Sequence, residues 1–131
     1  MEKDVVFRKI MQDRIKNFVL RIIKLFQSLP VTAEARIIGK QLLRSATSVG
    51  ANYRAACRAR SPKEFYSKLS IVIEEADESM FWIELLAESN IVKTSLLQDL
   101  LIENEEIIKI VVSARKKYKE NQSKQKTNNF N

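Results

Sequence analysis

Four carboxylates crowd one short stretch: Glu74, Glu75, Asp77 and Glu78 lie within five residues. On a helix Glu74 and Glu78 share a face, a spacing that carboxylate-bridged metal pairs can use. Di-iron bundles also need a Glu-x-x-His motif, and this chain has no histidine. The same lack removes His-based triads, imidazole ligands and imidazole proton transfer. The single cysteine, Cys57, builds neither a thiolate zinc site nor a disulfide framework, and reads as a small buried hydrophobe. Gly39 and Gly50 stand eleven apart inside a helical pattern, so they form no phosphate-cradling loop. The acids then read as a solvated or salt-bridged face, and the chain as a non-enzyme with neither metal nor cofactor.

The other chemistry on offer is polyanion binding. The net charge is +7 and the pI about 9.6, which favours acidic partners, nucleic acid first. Between residues 33 and 60, Arg36, Lys40, Arg44, Arg54, Arg58 and Arg60 oppose Glu34 alone, a net of +5. Arg36, Lys40 and Arg44 step by four and share a face. A second basic cluster, Arg115, Lys116, Lys117 and Lys119, lies near the C-terminus. These seven are the candidate nucleic-acid contacts. Between residues 62 and 88 the balance reverses: Lys63 and Lys68 oppose seven acids, a net of −5. Arg54 and Arg58 are expected to pair with Glu74, Glu75 or Glu78 across two antiparallel helices. Such pairs set orientation more than stability.

Those groups must sit on helices. The 131 residues contain two Gly and two Pro, too few for the turns of a many-stranded fold. One domain of 15.2 kDa should fold to about 7,100 Å² of surface, enough to bury a core without staples. The apolar residues Phe7, Met11, Ile15, Phe18, Ile22 and Leu25 step by three and four, marking a first helix over about 3–28. Pro30 ends it. Thr32 caps a second helix over about 33–60, whose centre is small: Ser45, Ala46, Thr47, Ser48, Gly50, Ala51, Ala55 and Ala56. Small side chains let a neighbouring helix approach closely. Ser61, Pro62 and Glu64 have capping-box spacing and start a third helix over about 62–88. A fourth runs over about 95–119, capped by Thr94 or Ser95, with Asn104 on its apolar stripe and expected at that stripe's edge. Residues 121–131, rich in Asn, Gln and Lys, are expected to be disordered. The result is an all-α, antiparallel, up-and-down four-helix bundle. No signal peptide and no membrane-length apolar run is evident, so the cytoplasm is the expected compartment.

The run Arg44-Ser45-Ala46-Thr47-Ser48-Val49-Gly50-Ala51-Asn52-Tyr53-Arg54-Ala55-Ala56, then Phe65, Glu74 to Ser79 and Phe81 to Leu86, resembles a bacterial family. Its members are four-helix-bundle proteins encoded in intervening sequences of large-subunit ribosomal RNA genes, once labelled S23 ribosomal proteins. The accessory variability protein of diversity-generating retroelements is similar. The resemblance spans about residues 10–120. It implies a ring-like homopentamer with basic surfaces facing RNA or DNA, and no enzymatic activity. In the retroelement branch it implies a reverse-transcriptase partner. Three functions emerge as expectations: a nucleic-acid-binding homo-oligomer, a protein-only adaptor that docks an acidic partner or a sister subunit, and a carboxylate metal protein.

Overall fold

The structure, a computed structural model, describes the backbone of residues 2–130 and the side chains of 2–125. Four helices succeed one another: α1 (Glu2–Ser28), α2 (Ala33–Cys57), α3 (Pro62–Glu88) and α4 (Thr94–Phe130). No strand occurs among the described residues.

Short connections force neighbours to run antiparallel. Thr32 caps α2, its Oγ1 accepting from the Ala35 N–H at 3.3 Å. Ser61 caps α3 by accepting from the Glu64 N–H at 3.1 Å. The Glu64 carboxylate reaches back to the Arg60 N–H at 3.2 Å, one residue short of the reciprocal bond expected at Ser61. Pro62 holds Ser61 extended, with φ −148° and ψ 157°. The chain must therefore leave α2 early, and α2 ends at Cys57 instead of residue 60. Beyond α3, Asn90 takes a positive φ of 61°, a conformation asparagine tolerates better than most side chains.

α4 departs most from expectation. It continues through Phe130, where a disordered tail was expected from residue 121. The chain has no Gly or Pro after Pro62, and Lys and Gln are good helix formers, so nothing local stops the helix.

One core joins all four helices. Met11, Ile15, Phe18 and Ile22 meet Leu42, Val49, Leu69, Val72, Ile83, Leu86, Leu97, Ile107 and Val111, each nearly or fully removed from solvent. The small centre of α2 works as its composition suggests. A Cβ on Gly39 would lie 2.6 Å from Leu29 Cδ1 and 3.0 Å from the Phe26 ring, and one on Gly50 would lie 3.2 Å from Val19. α1 therefore rests against α2 at both glycines. On the opposite flank the Ser79 hydroxyl donates to Ser45 Oγ at 2.8 Å, fixing α3 against α2. α3 and α4 are locked by Asn104, which is fully buried instead of lying at the edge. With the amide oriented to suit its partners, its nitrogen donates to the Ala76 carbonyl at 3.1 Å. Its oxygen accepts from the Met80 N–H at 3.0 Å. α1 and α4 touch least, and Arg14 bridges them with a two-pronged bond to Glu103 at 2.7 and 2.8 Å.

Candidate nucleic-acid interface

Residues spaced by three and four along a helix fall in one line. On α2 this line runs Arg36, Lys40, Arg44, Thr47, Ala51, Arg54, Arg58, and all seven are exposed. At 1.5 Å per residue it extends about 33 Å. Cations occupy its two ends and small side chains its middle.

The line is not uniformly available. Arg44 turns sideways onto α3, where Nη1 bonds Glu75 at 3.1 Å and Nη2 bonds Glu78. Its Nε also donates to Gln41 at 3.1 Å. Glu78 additionally accepts from Trp82 Nε1 at 3.2 Å. Arg44 is thus an interhelix clamp and not a free contact. The expected pairing of Arg54 and Arg58 with these acids is corrected for the same reason. Neither Arg54 nor Arg58 pairs with a described carboxylate: Ser45 faces Ser79, so in an antiparallel pair Arg54 is level with about residue 70, five to eight residues, or about 8–12 Å, along the axis from Glu75 and Glu78. Glu74 and Asp77 stay exposed. Among the described residues no group of three His, Cys, Asp or Glu side chains converges as a metal cage would require.

Arg54 and Arg58 instead overlook α1. With Lys9 and Lys16 they flank a groove of about 380 Å³ whose floor is Thr47, Gly50 and Ala51. Past Ala51 the groove continues into a hollow of about 420 Å³ between Arg54, Arg58, Arg60 and Glu64. Five cations face two acids there, Glu64 and Asp13, and Asp13 is already paired with Lys9 at 3.0 Å. Lys9 and Lys16 were missed in the sequence because α1 carries scattered charges of both signs. Their seven-residue spacing was the available signal, since it aligns them on one helical face. Arg36 and Lys40 remain exposed, one turn apart, and pair with no described carboxylate.

The C-terminal cluster divides. Arg115 is half-buried, donating to Ser70 Oγ at 3.2 Å and lying 5.6 Å over the Tyr66 ring. Lys119 sits 6.0 Å over the same ring. Tyr118 packs on Phe65 at 5.2 Å, and the Arg8 guanidinium lies over the Phe65 ring at 4.8 Å. Arg115 and Lys119 thus help pack α4 on α3, while Lys116 and Lys117 stay exposed.

Cys57 and Tyr53 meet near this end. Tyr53 is buried, and Cys57, expected to be buried, is half-buried. Burial pushes both the Tyr53 hydroxyl and the Cys57 thiol up from their ordinary values. Both groups therefore stay protonated, and the thiol is a poor nucleophile.

No described helix is long and apolar enough to cross a membrane. No curated protein matches the chain. Among solved structures it is similar to a protein of unknown function from the S23 ribosomal protein family of Bacteroides thetaiotaomicron VPI-5482. The two are 33% identical, over 83% of this chain and 97% of that one, with a TM-score of 0.78. The 23S rRNA-intervening sequence protein model matches residues 9–113, which takes in the small-residue helix, its acidic partner and every residue of the groove alike, and the chain belongs to that family.

Proposed function

We propose that this protein is a non-enzymatic, self-associating bundle that binds RNA or DNA through the outward face of α2 and the adjoining α1 cations. The observation that carries this reading is the uninterrupted exposure of the α2 line, with Arg36 and Lys40 at one end and Arg54 and Arg58 at the other. Phosphates recur along a nucleic-acid backbone and are neutralised by cations so spread, whatever the base sequence. The small floor of the groove lets a backbone come close.

Self-association is supported by apolar surface left in the open. Val5, Val6, Phe7 and Ile10 on α1 are each at least 43% exposed, and Phe81 on α3 is half exposed. The assembly proposed is a ring-like homopentamer, in the cytoplasm, needing no cofactor. Light scattering should return five times the chain mass.

The test of binding is a variant with Arg36, Lys40, Arg54 and Arg58 all changed to Gln. It should lose affinity for RNA and DNA duplexes with little change in sequence preference, and its salt dependence should flatten by about three to four log units per log unit of salt. Unchanged affinity refutes the α2 face as the contact. A second reading is a protein-only adaptor, for example an accessory to a reverse transcriptase, docking through the same face. The bare Thr47–Ala51 waist favours it, because it would admit a partner helix. It forecasts a defined assembly indifferent to added nucleic acid.

A further inference from the structure

The family match ends at residue 113, and α4 does not. The chain beyond that point is strongly cationic. From 114 to 131, Arg115, Lys116, Lys117, Lys119, Lys124 and Lys126 oppose Glu120 alone, a net of +5.

The packing of α4 on α3 shows where this segment leaves the bundle. Asn104 meets Ala76 and Met80, and Tyr118 meets Phe65, so the numbers of facing residues sum to about 182. Pro62, where α3 begins, is then level with about residue 120. The helix runs on to Phe130, so about ten residues, or some 15 Å, extend past the start of α3. Their base is fixed. Tyr118 lies against Phe65 and Tyr66, and Arg115 holds Ser70 and the Tyr66 ring. Lys116, Lys117 and Lys124 are exposed and pair with no described carboxylate.

The segment also leaves from a particular end. α2 and α4 run in the same direction, and both finish where α3 starts. The arm therefore emerges at the same end of the bundle as Arg58 and Arg60, the cationic end of the α2 groove, with α3 between the two helices.

We propose that the end of α4 is a rigid cationic arm, added to the family bundle, that grips the phosphate backbone of the nucleic acid lying along α2. It rests on the α2 face being a nucleic-acid contact. Lys116 and Lys117 at the arm's base and Lys124 past the bundle lie at the same end as that face, so one duplex spanning this end meets both. Phosphate contacts carry the grip, and the arm adds affinity without base preference.

The test compares the full chain with two variants, using a short RNA duplex and a DNA duplex of the same sequence as probes. In the arm variant Lys116, Lys117 and Lys124 become Gln. In the face variant Arg54 and Arg58 become Gln. The arm variant should bind about tenfold or more weakly at 0.1 M salt, and its log–log salt slope should fall by about two to three. Loss on both duplexes, or on one of them, supports the arm and names the nucleic acid. If the face variant loses affinity and the arm variant does not, the arm is overturned while the α2 reading stands. If the unaltered chain binds neither duplex, both fall. A measurement without substitution runs alongside: bound duplex should slow tryptic cleavage after Lys117 and Lys124 at least several-fold. Unchanged cleavage with duplex bound overturns the arm as well.

Discussion

Asn104 shows how much one buried amide can decide. It sits fully buried on a line with Leu97, Leu100, Ile107 and Val111, and its partners are the backbone of Ala76 and Met80. Those two groups also bond one another within α3, so removing the amide strands neither. Asn104→Ala should cost about 1–3 kcal/mol, mostly as lost packing, measured by urea denaturation. Its place on the stripe was visible in the sequence, but its depth was not. Depth depends on Ala76 being small enough, on another helix, to admit it. Arg44 was misjudged in a similar way, because its spacing matched a solvent stripe while its reach found Glu75 and Glu78. The buried pair Tyr53 and Cys57 yields a pH prediction. Both have raised pKa values in the folded state, so the fold favours their neutral forms. That contribution is complete below the unfolded thiol value of about 8.5 and is lost as pH rises through the folded values. Denaturation midpoints should fall at alkaline pH, and Tyr53→Phe should lessen the fall.

At the scale of elements, α2 governs the packing. Gly39 and Gly50 let α1 approach, and Ser45 does the same for α3. Gly39→Val places a branched side chain where even a Cβ lies 2.6 Å from Leu29, and should destabilise by about 1–3 kcal/mol. Gly50→Ala needs its neighbour to yield only a few tenths of an ångström, and helix propensity partly offsets that. Its effect should stay below about 1 kcal/mol in the same assay. α1 and α4 have the thinnest contact, so Arg14 and Glu103 matter more there than their exposure suggests. A double-mutant cycle should give a coupling near 1 kcal/mol, falling with salt. Helix number, order and the α2–α3 turn were legible because apolar periodicity and capping residues are local signals. The far end of α4 was not, because polar composition was read as disorder while no residue there breaks a helix.

For the whole molecule, the sequence showed an excess of positive charge but not its distribution. Folding uses Arg44, Arg14 and Arg115 for packing. It gathers Lys9, Lys16, Arg54, Arg58 and Arg60 along one groove and leaves Arg36 and Lys40 beyond it. Which cations would remain for a partner was therefore a question of register. In the function proposed, these remaining cations bind a polyanion backbone. The most direct check is the affinity of the full chain for an RNA or DNA duplex across a salt titration. With four phosphate contacts from Arg36, Lys40, Arg54 and Arg58, affinity should drop by at least about 150-fold between 50 and 200 mM salt. Binding that ignores salt, or no binding at low salt, contradicts it.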